Sequence, residues 1–121
     1  MRRRFPLVRP LRLMRILFDH GTPSGLAQSL ASHEITEAIA RGWERISNGE
    51  LLTKAEKAGF ELLVTTDNNI RYQQNLKGRK IAIVVLGNSA WRMARKHVDR
   101  IVAAVDAATP GSYAEVEIPF K

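Results

Sequence analysis

The sequence predicts an α/β domain, a three-layer α/β/α arrangement around a mostly parallel central sheet. Three observations carry this. From Met14 onward, strand-like and helix-like segments alternate, as in βαβ units. Residues 80–86 (KIAIVVL) form a near-continuous apolar run, the mark of a strand covered on both faces. Residues 90–108 place Ala94, Val98, Ile101, Val102 and Val105 on one helical face, a layer that can lie on such a sheet. With 121 residues, 45% hydrophobic and 26% charged, the chain fits one compact domain with a substantial core.

The elements follow in order. Residues 14–18 form the first strand. Thr22 and Pro23 are an N-cap and N1 pair that starts a helix, and Leu26, Ala27, Leu30 and Ala31 give it an apolar face through Ser32. Residues 33–39 suit either a helix or the short strand a βαβ unit needs. Residues 41–48, with Gly42 and Trp43, read as loop. Ser47-Asn48-Gly49-Glu50 is a capping box. The helix after it carries Leu51, Leu52, Ala55 and Ala58, and ends at Gly59 as a C′ glycine. Residues 61–65 (ELLVT) are the second clear strand. Residues 69–76 suggest a short polar helix stopped by Gly78. The strand at 80–86 and the long helix follow, and Thr109-Pro110-Gly111 ends that helix. Residues 113–118 alternate in polarity, which suggests a half-exposed edge strand.

Residues 1–13 (MRRRFPLVRPLRL) contain Arg2, Arg3, Arg4, Arg9 and Arg12 and no acid, so five charges of the net +7 belong to an arm. The arm is too short and too charged for a membrane-spanning helix, and it lacks the apolar core of a signal peptide. It is expected to be a flexible or upstream-start extension before a single domain at 14–121, with Met14 an alternative initiator. A basic arm also suits nucleic acid. There is no cysteine, which excludes disulfides and thiolate chemistry and fits a reducing cytoplasm. No Gly-rich phosphate loop is present. His20, His33 and His97 have no zinc-ligand spacing and are expected at the surface.

Open parallel sheets bind ligands at the carboxyl ends of their strands. Here those ends carry Asp19, then Thr66 and Asp67, then Gly87, Asn88 and Ser89. Mg²⁺ and Mn²⁺ take oxygen ligands, often one or two carboxylates completed by water and phosphate. Asp19 and Asp67 fit that need, with Glu50 a third acid. Each also has a plainer role: Asp19 in an Asx-turn before Gly21, Asp67 as a helix N-cap, Glu50 in its capping box. In the polar run after Asp67, Arg71 suits a phosphate contact and Tyr72 a base stack, or the run is a solvated face. Trp91, Arg92, Arg95, Lys96 and His97 read as a basic, aromatic-flanked rim for RNA, or as a core anchor beside a solvated face.

ILFDHGTP followed by NGELLTKAEKAGFELLVTTDNN resembles the PIN-like ribonuclease family, above all its small bacterial members that act as toxins in toxin–antitoxin pairs. The resemblance covers roughly residues 14–88. It implies a PIN-like fold, with Asp19, Glu50 and Asp67 as catalytic, metal-ligating acids and Thr65-Thr66-Asp67 as the family's T-x-D segment. Asn69 stands where many members carry a further aspartate; its amide oxygen can ligate but brings no charge. Thr66 and Arg71 are additional candidates beside it. The implied chemistry is metal-dependent hydrolysis of RNA, in which Mg²⁺ or Mn²⁺ activates a water without a covalent intermediate. The implied partners are an RNA substrate, a small antitoxin protein and a second copy of the chain, without a membrane and in the cytoplasm. The alternative is a PIN-like binding module for RNA or a partner protein, with a degenerate acidic site.

Overall fold

Five short strands form one sheet in the computed structural model, which describes residues 13–70 and 76–119. They are β1 (Arg15–Phe18), β2 (Glu34–Glu37), β3 (Leu62–Thr65), β4 (Ala82–Leu86) and β5 (Tyr113–Val116). Their order is β2-β1-β3-β4-β5 and every pairing is parallel. This is the order of a doubly wound sheet whose topological switch point lies between β1 and β3.

Strand residues point alternately to the two faces, and here both faces are apolar. Ile16, Phe18, Leu62, Val64, Val84 and Leu86 pack on one side with Leu26, Leu30, Met93, Ala94, Ile101 and Val105. Leu17, Leu63, Ile83 and Val85 pack on the other with Leu51, Leu52, Ala55 and Phe60. β3 and β4 are buried at every position. The three-layer α/β/α fold expected from the sequence is therefore the one observed. Among the described residues, no helix is long and apolar enough to cross a membrane.

Helix α1 (Asn48–Lys57) begins with the Ser47 half of the expected capping box: Ser47 is extended and its hydroxyl oxygen accepts the Glu50 amide at 3.2 Å. It stops before Gly59, which has φ +91°. That positive φ is what calls for glycine; a Cβ there would lie 2.7 Å from the Arg15 guanidinium, the far end of a flexible side chain that can move aside. Glu56, near the end of α1, ties the helix to the start of β4. Its carboxylate accepts the Lys80 amide at 2.7 Å, the Ile81 amide at 3.2 Å and the Arg79 guanidinium at 3.1 Å.

Burial opposes ionisation of Glu56, but the two amide bonds and Arg79 outweigh it and hold the carboxyl below its ordinary value. A carboxyl depressed on folding stabilises the fold above its unfolded pKa and loses that contribution as pH falls through the folded value. Glu56→Gln is therefore expected to lower stability at pH 7 by roughly 1 kcal/mol. The difference from wild type should shrink once the pH drops below 4.5, the ordinary glutamate value. Urea titrations at several pH values check this.

Four segments differ from the sequence expectation or resolve it. Residues 24–30 form a 3₁₀ helix, not an α-helix. Pro23, not Thr22, stands in the N-cap position and no side chain caps the helix; the Thr22 hydroxyl donates instead to the Val64 carbonyl at 2.9 Å, and Ser24 and Gly25 favour a helix weakly. Residues 34–37 are the strand β2 that the ambiguous segment allowed. The long helix is divided into α2 (Trp91–Ala94), a 3₁₀ turn at Arg95–His97 and α3 (Val98–Asp106). The turn carries three polar residues and no apolar side chain to hold it on the sheet.

The fourth is His33, expected at the surface but only 8% exposed. Its Nδ1 accepts the Met14 amide at 3.0 Å, and its Nε2 faces the Asp106 carboxylate at 3.8 Å. Residues 1–12 of the basic arm, and residues 71–75 with Arg71 and Tyr72, lie outside the described residues.

Candidate active site

β1 and β3 lie side by side, with Phe18 opposite Val64. The Asp19 amide extends their ladder by donating to the Val64 carbonyl at 2.9 Å. Asp19 thus leaves the sheet at the switch point, and Asp67 follows two residues after the end of β3.

The turn that the sequence suggested at Asp19 exists, but the backbone makes it. The Asp19 carbonyl accepts the Thr22 amide at 3.0 Å, and Gly21 holds φ +93° within that turn. The Asp19 side chain is left for another task. Its Oδ1 accepts the His20 amide at 2.7 Å, and its Oδ2 accepts the hydroxyl of the fully buried Thr65 at 2.7 Å. The Thr65 oxygen in turn accepts the Asp67 amide at 3.1 Å. One hydroxyl therefore bridges the Asp19 carboxylate and the backbone of Asp67.

Asp67 serves two elements. Its Oδ1 accepts the Asn69 amide at 3.0 Å, the bond of an N-cap, while its Oδ2 accepts the Asn48 side-chain amide at 2.7 Å. Asn69 contributes through its backbone and is itself exposed. Thr66 is half-buried, and its hydroxyl oxygen is 3.2 Å from where a Cβ on Gly21 would sit, so it flanks the Asp19 loop.

Glu50 is not brought to this pair. It is exposed, whereas Leu51, Leu52 and Ala55 face the core. Asn48 lies on that core-facing side, and residues two apart on a helix point about 200° away from each other. From α1 it is Asn48, not Glu50, that reaches Asp67. The sequence reading missed Asn48, although its spacing to Leu52 and Ala55 places it on the buried stripe.

Burial pushes the Asp19 carboxyl above its ordinary value. The Thr65 and His20 hydrogen bonds pull it back in part, and the negative charge of Asp67 adds to the rise. Among the described residues, no lysine or arginine forms an ion pair with Asp19 or Asp67. The fold thus holds two carboxylates together, one of them partly desolvated, without a described lysine or arginine paired to either.

An ionised carboxylate has about four acceptor sites, and each of these four oxygens accepts one hydrogen bond from a described residue. The remaining lone pairs are hard oxygen donors, the kind Mg²⁺ and Mn²⁺ take. The set fits an ion that keeps most of its water. It does not fit a closed protein cage, because among the described residues no three acidic or histidine side chains are grouped to hold a metal.

A cleft of about 430 Å³ adjoins the site, lined by Asn68, Gly87, Glu115 and Glu117 along the ends of β4 and β5. A more apolar cavity of about 450 Å³, lined by Phe60, Ile81, Glu56 and Lys80, lies at the opposite, amino edge of the sheet. Comparison with protein-family models, curated proteins and solved structures finds no match to the chain.

Proposed function

We propose that the chain is a metal-dependent endoribonuclease of PIN-like type, the toxin half of a toxin–antitoxin pair. The observation that carries this reading is the Asp19–Thr65–Asp67 constellation at the switch point of the parallel sheet. Asp19 and Asp67 would hold Mg²⁺ or Mn²⁺. Bound there, the ion supplies Lewis-acid polarisation of the phosphodiester and lowers the pKa of a water. Thr65 fixes the Asp19 carboxylate, Asn48 fixes that of Asp67, and the buried strand ends keep both oriented. The nucleic acid is RNA and the partner a small antitoxin protein, both on the strength of the family resemblance, which also suggests a homodimer and a cytoplasmic setting.

One observation favours a second reading, a binding module for RNA or a partner protein: among the described residues, no third acid joins the pair. A cleavage assay separates them. The enzyme is expected to shorten single-stranded RNA in Mg²⁺ or Mn²⁺ and to stop in excess EDTA. RNA left intact over a panel of sequences with either ion would sink the nuclease reading.

A further inference from the structure

We propose that Arg92, Arg95 and Lys96, together with the Trp91 indole, form the track along which a single-stranded RNA leaves the Asp19–Asp67 site. This rests on the nuclease reading and adds the residues that would hold the substrate chain.

Trp91 belongs to the same edge of the sheet as the carboxylates. It follows the end of β4 by five residues, and the Asn88 side-chain oxygen anchors that connection by accepting the Ala90 amide at 2.9 Å. The indole packs directly on Gly25, where a Cβ would lie 2.6 Å from its ring. Gly25 is six residues beyond Asp19, at the start of the 3₁₀ helix that the Asp19 turn leads into. The indole therefore abuts the segment that carries the first carboxylate. It is only half-buried, and a partly exposed aromatic side chain is one on which an unpaired base can stack.

Beyond the indole the charge changes sign. Arg92, Arg95 and Lys96 are exposed. Residues three and four apart share a helical face, so Arg95 and Lys96 fall on the side of Arg92. None of the three forms an ion pair with a described residue, whereas Arg15 pairs with Glu34 and Arg79 with Glu56. The 3₁₀ turn that carries Arg95 and Lys96 has no buried residue, so both cations are open to a ligand. The cleft along the ends of β4 and β5 is lined by Glu115 and Glu117 and repels phosphate. A polyanion is thus steered over Trp91 and onto the cations.

The test is fluorescence anisotropy of a short labelled single-stranded RNA of mixed sequence, bound by the full chain in EDTA so that nothing is cut. The triple variant Arg92→Gln, Arg95→Gln, Lys96→Gln is expected to bind at least tenfold more weakly at moderate salt. Three lost phosphate contacts should also reduce the salt slope of its log affinity by about 2. Trp91→Leu should weaken binding and leave that slope unchanged.

A folded triple variant, by its melting curve, that binds RNA like wild type with the same slope overturns the track. Equal affinity for double-stranded RNA overturns the single-strand assignment. The two proposals fail separately: metal-dependent cleavage that the triple variant keeps in full sinks the track alone. A wild-type chain that neither binds nor cuts RNA sinks both.

Discussion

Phe18→Ala is expected to lower the stability of the fold by about 3–5 kcal/mol. Phe18 is 1% exposed and is among the largest fully buried side chains. It sits on β1, between β2 and β3, in the layer shared with Leu26, Leu30 and Met93. Truncation removes the ring's transfer energy and leaves a cavity that strands pinned on both sides cannot close. A domain of this size has roughly 5–15 kcal/mol in total, so the loss should lower the melting temperature by about 10–20 °C. Urea unfolding should show a lower midpoint with an unchanged slope. Ile39→Ala, at a side chain 57% exposed, is expected to stay within about 0.5 kcal/mol of wild type. A Phe18 effect as small as that would mean this layer of the core is not packed as described.

The parts of the fold that the sequence made legible are those where one signal dominates. KIAIVVL and ELLVT are apolar at successive positions because both sheet faces are covered, and that pattern has little other explanation in a chain this short. The capping box and the glycine after α1 are local chemistry, and local chemistry survives folding. What could not be read depended on partners distant in sequence. Thr22 looks like a helix cap, but the helix starts one residue later than that, after Pro23, and the Thr22 hydroxyl donates to the Val64 carbonyl, 42 residues away. His33 looks like a surface residue until the Met14 amide and the Asp106 carboxylate close around it. The segment at 33–39 could not be assigned from its own pattern, because only its pairing with β1 decides the matter.

The candidate site divides in the same way. The rule that ligands gather at the carboxyl ends of parallel strands was enough to single out Asp19 and Asp67. At Asp19 the backbone makes the turn and the carboxylate meets Thr65, so the turn does not exclude the site reading. The third position was less legible. Glu50 was attractive as an acid, but charge does not tell which side of α1 a residue occupies. The apolar stripe does, and it selects Asn48. A neutral amide in that place leaves the pair with two carboxylates, so the remainder of any ion's shell must come from water and phosphate.

That count makes Asp19→Ala the most informative substitution. With only two carboxylates, neither can be spared, and loss of one is expected to abolish saturable Mn²⁺ binding in a calorimetric titration. Metal chemistry of this kind contributes several kcal/mol to the transition state, so RNA cleavage should fall by about a thousandfold. The melting temperature should move little, because two effects oppose each other. The variant leaves the buried Thr65 hydroxyl without its acceptor, a cost of about 1–3 kcal/mol, but it also removes a carboxylate that burial and Asp67 both disfavour. Asp67→Ala should lose the metal equally and destabilise the fold as well, since Asn48 and the Asn69 amide both lose their acceptor. Glu50→Gln is expected to keep Mn²⁺ binding, because its side chain is exposed on the far side of α1. Loss of binding in that variant would mean that α1 turns its other face to the site when metal is bound. If wild type itself takes up no Mn²⁺, the Asp19 carboxylate serves to hold the His20 amide and Thr65, and that of Asp67 the helix start after it. The binding module then becomes the reading to pursue, through partners and not through cleavage.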